Sequence, residues 1–267
     1  MLLYIRIYHI FPLFTSKPPL IKVRTPLEKF ILLMQIAFCD WCNIRWRVWK
    51  ENAISRSRTP KVLLPLRDDF VILDKQLYDF ESAGLDEAYL MIGYKGEAIV
   101  KRYGTHWNGI KIHYLREKEP MGTLWALRNL FSKIESDVLL RNGDTVCDVD
   151  LGKFIKYSHS KGKLATMVVV RMMSPFGLVS VEGNIVKKFD EKPLLPYYVN
   201  GGTYFLREEI KSILKRNFAD RGIEGSLFKS LASKGEIAVY KYGGFWKPVD
   251  TVKDYEEIKK IFIGRKF

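Results

Sequence analysis

The chain has 267 residues, enough for one large domain or two small ones around a sizeable core. Its hydrophobic (47%) and charged (28%) fractions are those of a globular protein, which excludes a disordered or fibrous chain. A formal net charge of +14 favours anionic partners: nucleic acid, an acidic membrane surface or phosphorylated small molecules.

That charge is unevenly spread. Residues 1–58 hold ten Lys/Arg against three Asp/Glu, together with three of the six tryptophans, Trp41, Trp46 and Trp49. No nucleic-acid-binding motif accompanies this basic tract, so nucleic acid is not expected as a partner. The opening run MLLYIRIYHIFPLF is broken by Arg6, His9 and Pro12, and the apolar run at 30–39 is too short to span a bilayer. Cys39 and Cys42 form a C-x-x-C pair with no second pair and no suitably spaced histidines, which makes neither a disulfide framework nor a zinc site. A reducing cytoplasm is the expected location.

From residue 59 onward strand and helix patterns alternate. Residues 70–84 carry apolar side chains at helical spacing and end at Gly84, the first glycine of the chain. A strand is expected over 87–94, a helix over 95–104, a period-two strand over 110–117 and a helix over 121–134. The run 137–144 reads as a strand entering a turn. Residues 150–162 read as a helix with Asp150 as N-cap and Gly162 at its end. A β-branched strand follows over 164–172, then a hairpin over 177–193 turning at Glu182-Gly183-Asn184. A strand with a helix start occupies 197–210, and strand, loop and closing helix occupy 236–262. This alternation implies an α/β protein with a mostly parallel sheet, some antiparallel additions, and ligand chemistry at the carboxyl ends of the strands. Residues 59–267 are expected to form one domain, and residues 1–58 an aberrant basic segment, irregular or partly helical.

The strongest local signal is LLRNGDTVCDVDL, where a buried strand delivers Asp144 after a flexible Asn-Gly. Such a carboxylate suits Mg²⁺, which takes one or two carboxylates together with phosphate oxygens. Asp250, in FWKPVDTVKDY, again sits between a strand and a helix; two such carboxylates could share one ion over a triphosphate. A turn or helix-cap role is the bland alternative for each, and Asp148 and Asp150 read as turn residue and cap. In FDEKPLLPYYVNGG, Glu191 could accept hydrogen bonds from sugar hydroxyls and Lys192 could pair with a phosphate; a surface ion pair is the plainer alternative.

The motifs PKVLLP, REKEPMGT, NGDTVCDVDL, PFGLV, FDEKP, VNGGTYFL and FWKPVDTVKDY occur in the order, and near the spacing, of the sugar-1-phosphate nucleotidylyltransferases. The resemblance runs from about Thr59 to Tyr255. VNGG and FWKPVDT resemble glucose-1-phosphate cytidylyltransferases, while REKEPMGT and NGDTVCDVDL are similar to heptose- or mannose-1-phosphate guanylyltransferases. The resemblance implies a Rossmann-like three-layer nucleotidyltransferase fold with a mixed, mostly parallel central sheet and helices on both faces. It implies a nucleoside triphosphate and a sugar 1-phosphate as partners, Mg²⁺ as cofactor, no membrane span, and leaves a homo-oligomer open. By the same resemblance Lys61 neutralises phosphate charge, Asp144 and Asp250 hold Mg²⁺, and Gly122 lets the backbone approach the base. Gly177 and Glu191 hold sugar hydroxyls, Lys192 the sugar's phosphate, and Asn200 the sugar or nearby backbone.

One part of the pattern is missing. The family places a loop of type G-G-x-G-T-R after its first strand, and no glycine precedes Gly84 here. Met34 to Pro60 has about the right length, and MQIA suits the start of that strand. Residues 38–58, FCDWCNIRWRVWKENAISRSR, resemble a read-through of the wrong frame. The alternative expectation is therefore a catalytically impaired, sugar-phosphate-binding relative.

Overall fold

The computed structural model describes residues 30–35 by their backbone, and residues 59–117 and 119–263 in full. FILLMQ, EAYLMI and DVLLRN are short apolar runs of the kind that parallel sheets enclose. They form neighbouring strands β1 (Phe30–Gln35), β4 (Glu87–Ile92) and β7 (Asp137–Asn142). The other strands are β2 (Pro65–Arg67), β3 (Phe70–Val71), β5 (His106–Trp107), β6 (Ile110–Arg116), β8 (Thr145–Cys147) and β9 (Ala165–Met173). After them come β10 (Leu178–Glu182), β11 (Ile185–Asp190), β12 (Leu194–Leu206), β13 (Ile237–Tyr242) and β14 (Trp246–Pro248). The helices are α1 (Ile72–Ser82), α2 (Gly96–Tyr103), α3 (Thr123–Phe131), α4 (Leu151–Lys161), α5 (Lys211–Leu214), α6 (Lys229–Ala232) and α7 (Val252–Phe262).

Eight strands build the central sheet in the order β13-β9-β12-β7-β1-β4-β6-β5. β1 pairs in parallel with β4 and β7, β4 with β6, and β13 with β9; β12 runs antiparallel between β7 and β9, and β5 closes the far edge antiparallel to β6. Side chains alternate faces along a strand, and the core divides accordingly. Leu90, Ile112, Leu139 and Phe205 pack with α1, α2 and α4. From the same strands, Met91, Leu115, Leu140 and Tyr204 pack with α3, α5 and α6 on the opposite face. Helices therefore cover both faces of a mixed sheet, as the family resemblance implied.

Where caps are encoded, the ends fall as expected. The Asp150 carboxylate accepts from Lys153 N at 2.9 Å at the start of α4, and Gly162 ends that helix at φ +59°. The segment expected to be irregular or partly helical differs in one place. Phe30–Gln35 is a strand in register with β7 from Phe30↔Asp137 to Gln35↔Asn142. A short apolar run with parallel neighbours on both sides gains two ladders of backbone hydrogen bonds, which a helix of six residues could not match. The other residues of 1–58, and with them the place of the glycine-rich loop, lie outside the described residues.

Three two-stranded ribbons accompany the sheet, the shortest of them β2 with β3. β8 and β14 pair antiparallel, beside a cluster of Leu66, Ile72, Val146, Val249, Ile258 and Phe262 that seats α7. β10 and β11 form the expected hairpin, which stands clear of the core with Val179, Val181, Ile185 and Phe189 exposed.

Candidate active site

Asp144 and Asp250 are far apart in sequence, and the β8–β14 ribbon joins them. Its register pairs Thr145 with Pro248, and one step further Val249 N donates to Asp144 O at 2.8 Å. Pro248 occupies a position where no ladder bond is lost, because Val249 supplies the N–H that faces β8. Asp144 thus leaves the carboxyl end of β7 beside the residue that precedes Asp250. Lys61 enters from a third direction. Pro60 is buried at the head of a single 3₁₀ turn over Lys61–Leu63, and the Lys61 ammonium lies 4.0 Å from Asp250 Oδ1.

The electrostatics of the trio follow from this placement. Burial pushes the Asp144 carboxyl above the usual carboxylate range, the Lys61 charge opposes the rise, and the nearby Asp250 carboxylate adds to it. Asp250 is largely solvent-facing, with 65% of its side chain exposed, so the pair opens toward solvent from one side. Among the described residues no group of three or more His, Cys, Asp or Glu converges. The donor set is therefore two carboxylates, one of them held in an environment where negative charge is costly. That set fits a hard divalent cation that completes its shell with phosphate and water oxygens.

Asn200 is tied to the same neighbourhood through Tyr204. The Asn200 carboxamide donates to Tyr204 Oη at 2.6 Å and accepts from Gly202 N at 3.0 Å. Burial raises the Tyr204 phenol above its ordinary range, with the charges of Glu224 and Asp144 adding to it. Trp246 Nε1 donates to Gly201 O at 2.9 Å, pinning the VNGG strand to β14. Gly202, at φ +69°, brings its backbone against Asn142, the residue two before Asp144. These contacts bring the VNGG strand beside Asn142 and Trp246, residues close in sequence to Asp144 and Asp250.

Gly177, Glu191 and Lys192 form a second group at the base of the hairpin. A Cβ on Gly177 would stand 2.6 Å from Phe189 Cζ and 3.1 Å from Glu191 Oε2, so the glycine admits both side chains. Lys192 Nζ lies 3.8 Å from Glu191 Oε1, and both side chains are exposed. Gly122 precedes α3 at φ +86°, and a Cβ there would meet Arg221 O at 2.6 Å. Leu124 N donates to that same carbonyl at 2.9 Å, so the glycine is needed first for the packing of the 220–223 segment on α3.

Residues that sequence reasoning passed over support the trio from behind. Gln76, wholly buried on α1, donates to the carbonyls of Asn142 (3.1 Å), Gly143 (3.2 Å) and Thr145 (2.9 Å). Arg141, also wholly buried, donates to Asp79 Oδ2 at 2.7 Å and to Cys147 O at 3.1 Å. Lys75 lies 2.5 Å from Asp79 Oδ1 and 3.7 Å from Asp148 Oδ1. A signal existed for Gln76: it lies on the stripe 72, 73, 76, 77, 80 whose other members are apolar.

The fold places two carboxylates and a lysine at the carboxyl end of β7 and beside the β8–β14 ribbon, on the side of the sheet where α/β proteins hold their ligands. The family model described as "Nucleotidyl transferase" matches residues 52–263. A "Probable glucose-1-phosphate cytidylyltransferase" of Bacillus subtilis is 30% identical over 205 residues, which is 68% of this chain and 80% of that protein. The "D-glycero-alpha-D-manno-heptose 1-phosphate guanylyltransferase" of Campylobacter jejuni is 35% identical over 162 residues, 57% of this chain and 68% of that one. Against a "Putative mannose-1-phosphate guanyltransferase" of Sulfolobus acidocaldarius, 27% identical over 78% of this chain, the match spans 58% of the relative's length. Among solved structures, HddC from Yersinia pseudotuberculosis superposes with a TM-score of 0.61 at 22% identity, over 77% of this chain and 91% of that one. The chain belongs to the sugar-1-phosphate nucleotidylyltransferase family.

Proposed function

We propose that this chain transfers a nucleoside monophosphate from an NTP to a sugar 1-phosphate, giving an NDP-sugar and pyrophosphate. A phosphate oxygen of the sugar 1-phosphate attacks the α-phosphorus in line. The new P–O bond forms as the bond from the α-phosphorus to the bridging oxygen breaks, and that oxygen leaves with the pyrophosphate. Such chemistry calls for positioning and charge neutralisation more than for a covalent group on the protein.

The roles divide by position. Asp144 and Asp250 hold Mg²⁺, which when bound neutralises phosphate charge and orients the triphosphate. Lys61 adds a fixed positive charge beside the carboxylates. Gly122 keeps the backbone before α3 open to the base. Gly177 and Glu191 hold sugar hydroxyls, Lys192 the sugar's phosphate, and Asn200 the sugar from the VNGG strand. The observation that carries the reading is the convergence of Asp144, Asp250 and Lys61. No described helix is long and apolar enough to cross a membrane. A cytoplasmic setting, where nucleoside triphosphates are made, is part of the same proposal.

A second reading rests on the sequence of residues 36–58, which contains no glycine. In it the chain binds a sugar phosphate and turns over poorly, because oriented loop amides on the triphosphate are lacking. Charge-assisted hydrogen bonds of that kind contribute roughly 1.5–3 kcal/mol each. Pyrophosphate release across the four NTPs and a panel of sugar 1-phosphates separates the two. Release that depends on both substrates supports the transferase; sugar-phosphate binding without release supports the impaired relative. Translating the other frames of the coding DNA upstream of Thr59 tests the tract itself. A glycine-rich strand and loop in one of them is the expected result, and its absence from both removes the frame explanation.

A further inference from the structure

The turn that presents Asp144 is held by its carbonyls. Asp144 O accepts from Val249 N on the neighbouring ribbon. In an antiparallel pair successive carbonyls point to opposite sides, so Gly143 O and Thr145 O face away from β14 and toward α1. There Gln76 meets them: its Nε2 lies 3.1, 3.2 and 2.9 Å from the carbonyls of Asn142, Gly143 and Thr145. One carboxamide, with two N–H groups shared among three acceptors, spans the strand–turn–strand on which the carboxylate rides. Every backbone carbonyl from Asn142 to Thr145 is thus tied down. Gln76 itself is wholly buried, and its flanks are fixed by Leu73, Leu77 and Phe80 in the core of α1.

We propose that Gln76 is a positioning residue for Asp144: it fixes the Asn142–Thr145 turn so that the Asp144 carboxylate is presented to a divalent cation. This rests on the reading of Asp144 as a cation ligand. The Asn-Gly pair in the turn is otherwise a flexible joint, because glycine surrenders more conformational freedom than any other residue when it orders. A helix-borne amide that takes three carbonyls removes that freedom without touching the ligand. Outer contacts of this kind commonly change metal affinity by about 10- to 100-fold when removed.

The test uses the full chain and Mn²⁺ as probe, with free ion followed by electron paramagnetic resonance. Gln76→Met keeps the volume and removes the N–H donors. The expected result is Mn²⁺ binding weakened at least about tenfold, and faster amide hydrogen exchange at Gly143–Thr145 with the amides of β4 and β6 unchanged. A purely packing role predicts neither the local exchange nor the loss of affinity. If Gln76→Met does not fold, Gln76→Asn, which stays polar but is one methylene shorter, is expected to give the same local loss. Mn²⁺ affinity within twofold of wild type in a folded variant overturns the proposal. Asp144→Asn isolates its foundation: if it binds Mn²⁺ as wild type does, or wild type binds none, the reading of Asp144 fails and the role of Gln76 falls with it.

Discussion

The Lys61 ammonium lies 4.0 Å from the carboxylate of Asp250, although the two come from opposite ends of the described domain. Lys61 is set by a buried Pro60 and a single 3₁₀ turn, Asp250 by the last residue of a ribbon whose partner strand begins just after Asp144. Three separate pieces of chain therefore meet where charge matters most. The Lys61–Asp250 pair is not strong alone, since an ion pair this exposed contributes little to stability. In the proposed function this arrangement is the charge frame of a phosphate site.

Replacing either acid separates function from stability. Asp144→Asn and Asp250→Asn are each expected to lower turnover at least about a hundredfold, in line with the loss of a key electrostatic contact in a transition state. Asp144→Asn should melt no lower than wild type, because burial and the Asp250 charge already oppose its ionisation. Steady-state pyrophosphate release and a thermal melt on the same samples check both halves. Chelation of divalent cations should reproduce the loss of turnover in the wild type.

Gly122 is constrained on two counts. At φ +86° and ψ 164° it sits in a region essentially reserved for glycine, and a Cβ would meet Arg221 O at 2.6 Å. Gly122→Ala should destabilise the chain by about 1–3 kcal/mol, the usual cost of such a strained backbone. Denaturant unfolding measures it. An unchanged midpoint would show that the 220–223 segment can move aside freely.

Arg141 and Asp79 form an ion pair with the guanidinium fully enclosed. Asp79→Ala leaves that charge buried with the Cys147 contacts and the Phe80 ring face but no carboxylate partner, and is expected to cost about 3–5 kcal/mol. Arg141 Nη2 also holds Cys147 O at 3.1 Å, so the same change should loosen β8 before the rest of the sheet. Hydrogen exchange at Val146 and Cys147, compared with β4, reports whether the loosening is local.

His113 gives the chain a mild sensitivity to acid. Burial lowers its pKa below 6.5, opposed by the Glu87 carboxylate, while Lys111 and His106 add to the lowering. The unfolded chain therefore takes up this proton first, and the stability His113 contributes is present above about pH 6.5 and lost as pH falls through the folded-state value. Melting temperatures at pH 7.5 and 5.5 should differ in that direction. His113→Phe, which keeps a ring against Tyr89 (4.3 Å between centroids), should remove this part of the difference.

Much of this was legible in the sequence because it is locally encoded. Asp150 and Gly162 bracket α4 through their own capping chemistry, and the hairpin turn at Gly183 needs nothing beyond its neighbours. Asp144 and Asp250 stood out because each follows a strand and precedes a turn or helix. β1 was harder to see: FILLMQ lies in a basic tract without family motifs, and only two parallel neighbours make it a strand. The stripe of α1 marks Gln76 as a buried polar residue, but its partners, like those of Tyr204, were illegible for a different reason. These partners are backbone carbonyls and an amide brought close by the folded sheet, and no periodicity announces such partners. Gly122 and Gly177 show the reverse, since each glycine has a packing reason in the fold besides any role toward a ligand.

The most direct test of the central claim follows the α-phosphorus. Incubation of the chain with [α-³²P]NTP, Mg²⁺ and a sugar 1-phosphate should move the label into an NDP-sugar, with one pyrophosphate released for each label transferred. Label that stays in NTP while the sugar 1-phosphate binds, or that appears as free NMP by hydrolysis, would contradict the account.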